Sequence, residues 1–165
     1  QERLEGDRDR DRAVRGVSTE ESAHLLHRGP GVQDLLDARE ERTVPTGLAT
    51  GNLQKGSRHK LEAANLWHRF PFGGFGSDAI DRAELTTIGA NRGRTLAGYP
   101  IPNDRVFVIG DSDLDIDAAR RSSFKSIAVA TGWHSKKDLL AENPDHCFDD
   151  LSDTTAVLKA MGLPE

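Results

Sequence analysis

From Gly31 onward the chain alternates between two hydrophobic periods. "GVQDLLDAREER" places Val32, Leu35 and Leu36 at helical spacing, and "VPTGLATG" then reads as a short strand stopping at glycine. "LQKGSRHKLEAANLW" predicts a helix with Leu61 and Leu66 near its end, and "FPFGGFGSDA" an extended, glycine-rich piece. "DRAELTTIGANRGRTLAG" predicts a longer helix, with Asp81 as N-cap and Gly98 as stop. "RVFVIGD" then reads as a buried strand, "LDIDAARRSS" as a helix and "SIAVATG" as another β-rich run. "SKKDLLAEN" predicts a short helix, "HCFDD" a small strand, and "SDTTAVLKAMG" a closing helix capped by Ser152 or Asp153.

Strands alternating with helices predict an α/β fold: a Rossmann-like three-layer sandwich with a mainly parallel sheet and helices on both faces. Right-handed crossovers bring the C-terminal ends of the strands to one rim, where ligands bind in such sheets. "GLATG" and "FVIGD" both end there. Residues 29–165 form this core. Residues 1–28 differ: "DRDRDR" is a mixed-charge run that reads as a solvated surface segment.

Composition narrows the picture. At 165 residues the chain has the length of one domain, and 36% apolar with 30% charged residues is polar but foldable. A formal net charge of −5 with scattered basic residues argues against nucleic acid or an anionic membrane as the main partner. Cys147 is the only cysteine, which suits a reducing compartment and makes the cytoplasm the expected location. No apolar run reaches the length of a membrane span, and "QERLEGDRDRDR" lacks the apolar centre of a signal peptide. The initial Gln in place of Met suggests trimming or a fragment.

The candidate chemistry lies at the ends of two strands. Asp111 directly follows Val106, Phe107, Val108 and Ile109, and Asp115 lies one helical turn on. Two carboxylates so placed repel one another and suit a hard cation such as Mg2+. The alternative is that Asp113 or Asp115 caps the next helix and Asp111 is solvated. At the other strand end, the Thr50 hydroxyl and the amides of Gly51 and Asn52 suit a phosphate at a helix start, although T-G-N is also ordinary turn chemistry. Lys60, ten residues on, either brings a cation to the same rim or lies on the surface. His24 and His27, three apart, lack acidic or cysteine partners for a metal site, and Trp67 and Trp133 read as packing or rim residues.

"TGLATGN", Lys60 within "GSRHKLEAANL", and "VFVIGDSDLDI" resemble the second, third and fourth motifs of the haloacid dehalogenase-like hydrolases, most nearly their phosphoglycolate-phosphatase-like branch. The resemblance covers roughly residues 29–163. It implies that Thr50 binds the transferring phosphoryl group, with Gly51 and Asn52 beside it, and that Lys60 neutralises it and orients the nucleophile. It also implies that Asp111 and Asp115 hold Mg2+ and that a small phosphorylated metabolite, a phosphate monoester, is hydrolysed through an aspartyl-phosphate. That chemistry combines covalent catalysis with stabilisation of charge on the phosphoryl oxygens.

The family's first motif, an apolar strand followed by Asp-x-Asp-x-Thr, has no counterpart in this sequence, nor does most of the family's cap. Asp7, Asp9 and Asp11 form Asp-x-Asp pairs but sit in the polar opening segment, which reads as disordered or as a cap remnant. A carboxylate there is not preorganised for attack. The missing strand belongs mid-sheet in the family, between those carrying the second and fourth motifs. Either the flanking strands close up, or something fills the slot, such as a partner chain or an N-terminal half. Three readings follow: part of a Mg2+-dependent phosphatase, a non-catalytic phosphate- and metal-binding domain, or an interaction module.

Overall fold

The computed structural model describes residues 29–164. The 1–28 segment, with Asp7, Asp9, Asp11, His24 and His27, lies outside the described residues. The core runs α1 (Val32–Glu41), β1 (Leu48–Thr50), α2 (Gln54–Ala63), β2 (Gly73–Phe75), α3 (Arg82–Ala97), β3 (Phe107–Gly110), α4 (Asp113–Arg121), β4 (Lys125–Val129), α5 (Lys136–Ala141), β5 (His146–Phe148) and α6 (Thr154–Ala160). Short 3-10 turns at Trp67–Arg69 and Asn103–Arg105 complete it. Every strand pair is parallel, as the alternating periods predict.

The helix boundaries follow local chemistry. The Asp81 carboxylate accepts the Glu84 amide at the start of α3, and Gly98, with φ 75°, ends it in the left-handed region. Asp153, not Ser152, caps α6 by accepting the Ala156 amide. The helix expected to run to Trp67 stops at Ala63. Asn65 turns left-handed at φ 54°, the Leu66 amide donates to the Leu61 carbonyl, and a separate 3-10 turn carries Trp67.

The single sheet expected from the sequence is two sheets, β1-β2 and β3-β4-β5. Among the described residues β1 pairs only with β2, and β3 only with β4. Accessibility follows this division. All of β2 is buried, and so is β4 beyond Lys125, whereas all of β1 is only half-buried. In β3, Val108 alone is buried and Ile109 is 38% exposed. "RVFVIGD" was expected to be a buried strand; among the described residues one side of it has no neighbouring strand, and Ile109 is open to solvent.

Two helices span the division. On one face of the sheets, the adjacent residues Leu35 and Leu36 of α1 enter different clusters. Leu35 packs with Ile127, Val129, Leu151, Val157 and Leu158, and Leu36 packs with Leu61, Leu66 and Phe70. Val32 touches both clusters, and each such buried side chain contributes roughly 1.5–3 kcal/mol. On the other face α3 lies directly on β2. A Cβ at Gly74 would stand 1.7 Å from the Leu85 carbonyl oxygen, so this approach requires glycine. Ala90 of the same helix packs on Val108, Ala119 and Phe124 in the other half. The Thr87 and Ser122 hydroxyls hydrogen-bond at 3.0 Å, and Arg121 donates to Asp81 at 2.8 Å.

The outer edge of β2 is closed by side chains. The Phe72 carbonyl faces β1, where it accepts the Leu48 amide, so the Gly73 carbonyl faces outward and accepts Arg92 Nη1 at 2.7 Å. The Phe75 amide donates to Asp78 Oδ2 at 2.9 Å, and Arg92 in turn binds Asp78 through both terminal nitrogens. Charged groups on an edge block its pairing with another chain. Among the described residues, no helix is long and apolar enough to cross a membrane.

Candidate functional site

Asp111 follows the last residue of β3 and is half-buried at the strand's C-terminal end. Burial, and then the negative charge of Asp115, pushes its carboxyl above the usual carboxylate range; Arg82 and His134 pull the other way. Its Oδ2 sits against Gly132, where a Cβ would stand only 2.5 Å away, so the β4–α5 loop leaves room for the carboxylate. The neighbouring His134 lies 3.5 Å from the half-exposed Asp113.

Asp115 is buried and fully engaged. Its Oδ2 accepts the Ser112 hydroxyl at 2.9 Å and the Ser112 amide at 3.3 Å, closing a capping box at the start of α4. Its Oδ1 accepts Arg82 Nη2 at 2.6 Å and Nε at 3.2 Å. Gly110 makes room for this group, since a Cβ there would stand 2.2 Å from Asp115 Cγ. The cap is therefore built by Ser112 with Asp115, and Asp113 is the first residue of the helix itself.

At the end of β1 the Thr50 Oγ1 accepts the Asn52 amide at 3.2 Å, the local turn bond that T-G-N favours. Gly51 is exposed, with open space where a Cβ would be. The Asn52 carbonyl accepts the Gly76 amide at 2.9 Å, tying this loop to the one after β2. Lys60 lies near the end of α2, half-buried, with its Nζ covered from solvent. Trp67 packs against Phe75 with ring centroids 6.3 Å apart, while Trp133 stands 87% exposed in the loop after β4.

One set of groups thus gathers at the β3 end, Asp111 and Asp115 with Arg82 bonded to Asp115, and a second at the β1 end, Thr50 with Gly51 and Asn52. Fit to a hard cation rests on Asp111: a half-buried carboxylate near a second one, Asp115, and a glycine that keeps space beside one oxygen. No group of three or more His, Cys, Asp or Glu side chains among the described residues forms a closed metal cage. Sequence reasoning missed Arg82, whose bond to Asp115 spans 33 positions and left no local signal. The Ser-x-x-Asp spacing of Ser112 and Asp115 was a legible capping-box signal.

Residues 90–154 match a family model described as HAD-hydrolase-like. The phosphoglycolate phosphatase of Synechococcus elongatus is 27% identical over 125 residues, covering 75% of this chain and 56% of that protein. The phosphoglycolate phosphatase of Escherichia coli K12 is 26% identical over 153 residues, covering 90% of this chain and 56% of that one. The chain is thus similar to haloacid dehalogenase-like hydrolases, and to phosphoglycolate phosphatases among them. A haloacid dehalogenase-like family protein from Streptococcus pneumoniae shares the fold, with a TM-score of 0.65 at 19% identity over 78% of this chain and 59% of its own. The chain spans about half the length of the curated relatives it matches.

Proposed function

We propose that this chain carries part of the active site of a Mg2+-dependent phosphohydrolase acting on a small phosphate monoester. The observation that supports it most is the half-buried Asp111 carboxylate at the end of β3, with Gly132 leaving room at one oxygen; the hydroxyl and amide turn that ends β1 is the second element. In this reading Thr50 and the Gly51 amide hold phosphoryl oxygens, and the Asn52 amide joins them when it leaves the Thr50 hydroxyl. Lys60 offsets phosphoryl charge from α2. Asp111 is the carboxylate that meets Mg2+, with Asp115 behind it. When bound, Mg2+ supplies positive charge toward the phosphoryl oxygens as they become more negative. A neutral medium and a reducing compartment, the cytoplasm, fit the single cysteine.

The nucleophile and its strand are supplied in this reading by polypeptide that the present sequence does not include, whether an N-terminal half or a partner chain. The unpaired sides of β1 and β3 support this, because the outer edge of β2 is closed by Asp78 and Arg92 while these inner sides have no such cover described. Hydrolysis of p-nitrophenyl phosphate with Mg2+ tests it, measured on the chain alone and with an added peptide of apolar strand plus Asp-x-Asp-x-Thr. Activity that requires both peptide and Mg2+ is the expected result. Phosphate and Mg2+ binding without turnover under either condition would instead favour a non-catalytic binding domain, a reading to which the split sheet also lends weight.

A further inference from the structure

Trp133 is the most exposed aromatic side chain among the described residues, 87% open to solvent, although the loop that carries it is anchored on both sides. The Ala130 amide donates to the Phe148 carbonyl at 2.9 Å, and Gly132 lies so close to Asp111 that a Cβ there would stand 2.5 Å from Oδ2. His134 Nε2 is 3.5 Å from Asp113 Oδ1 in the first turn of α4. Ser135 then caps α5: its hydroxyl donates to Asp138 Oδ2 at 2.6 Å and accepts the Asp138 amide at 3.2 Å. The backbone around Trp133 is thus held, and only its indole is left in water. Leu114, on the helix that the His134–Asp113 contact ties to this loop, is 58% exposed as well. An anchored loop that keeps a large apolar ring in water forgoes the usual gain of burial.

Resting on the phosphohydrolase reading above, we propose that Trp133 is a specificity-determining residue, a flat platform on which the leaving group of the phosphate ester stacks, so that the site favours monoesters of planar aromatic alcohols. The placement follows from the chain. Gly132 forms the wall beside the Asp111 carboxylate, and the indole belongs to the next residue. An indole takes another ring on its face without a directional hydrogen bond, and with two side-chain torsions it loses little freedom in doing so. An aliphatic leaving group gains contact area there but no ring stacking.

The test titrates the full 165-residue chain with phenyl phosphate and with inorganic phosphate in Mg2+ buffer. Affinities are read by calorimetry, and ring contact by indole fluorescence in Trp67→Phe, which leaves Trp133 as the single tryptophan of the two. Phenyl phosphate should change that fluorescence, and excess inorganic phosphate should reverse the change. Trp133→Ala should weaken phenyl phosphate about three- to tenfold, the range of an aromatic pair, and leave inorganic phosphate within about twofold. Trp133→Phe keeps a ring face and should regain most of the loss. Equal weakening of both ligands in Trp133→Ala, or of neither, would overturn the proposal. The two readings fail separately. Reversible competition with an unchanged Trp133→Ala affinity keeps the phosphate site and removes the role of Trp133; a fluorescence change that inorganic phosphate does not reverse, or binding of neither ligand, removes both.

Discussion

Ile109 and Ile127 are register partners in one parallel ladder and point to the same face, yet Ile109 is 38% exposed and Ile127 only 1%. The difference lies in their neighbours. Ile127 has β3 on one side and β5 on the other, with Leu35 and Val157 packed above it. Ile109 has β4 on one side and no described strand on the other. Two apolar residues of the same type, in adjacent strands, therefore contribute unequally to the core. The same contrast separates β2 from β1: the strand at the outer margin is fully buried, and the strand facing the division is not.

The comparison can be broken or sharpened by substitution. The largest effect is expected at Ile127→Ala, which should lower unfolding free energy by about 2–5 kcal/mol in a urea titration, as full burial and a poorly collapsing cavity dictate. A loss below that of an exposed site would show that the core around β4 is loose. Gly74→Ala comes next, at about 1–3 kcal/mol, because the added methyl collides with the backbone of α3 rather than with a flexible side chain. Gly51→Ala, made into open space, is its control and should leave the same titration unchanged.

Asp111→Asn should act in the opposite direction. Its folded carboxyl titrates above the unfolded one, so the native state holds the proton more tightly and loses stability as pH rises through the folded value. In metal-free buffer the Asn variant should melt higher than the parent at neutral pH. That advantage should vanish below the ordinary carboxylate range, where both forms are neutral. Equal melting at both pH values would mean that Asp111 is well solvated. The smallest effect belongs to Ile109→Ala, below about 1 kcal/mol in the chain alone. Adding a strand peptide that enters between β1 and β3 should raise that cost, and an unchanged value in the presence of bound peptide would place the peptide elsewhere.

Much of the local structure was legible before any tertiary information. Helical spacing at Val32, Leu35 and Leu36, the Asp81 cap and the Gly98 stop each rest on contacts within a few residues, and each is found where the pattern predicted it. The candidate site was legible only in part. Thr50 and Asp111 stand at strand ends because an apolar run followed by glycine or a polar residue is itself a local signal, and Asp115 follows in the first turn of α4. The saturation of Asp115 by Arg82 was not, since it depends on α3 crossing to α4.

What the sequence by itself determined is the order of strands and helices, their parallel class and the residue types at the strand ends, all of which follow from hydrophobic period and capping chemistry. What only the tertiary structure decided is how the strands divide into two sheets, which apolar residues remain exposed and which carboxylate stays uncommitted. These depend on which segments become neighbours, and neighbourhood between residues dozens of positions apart leaves no periodic trace in the chain.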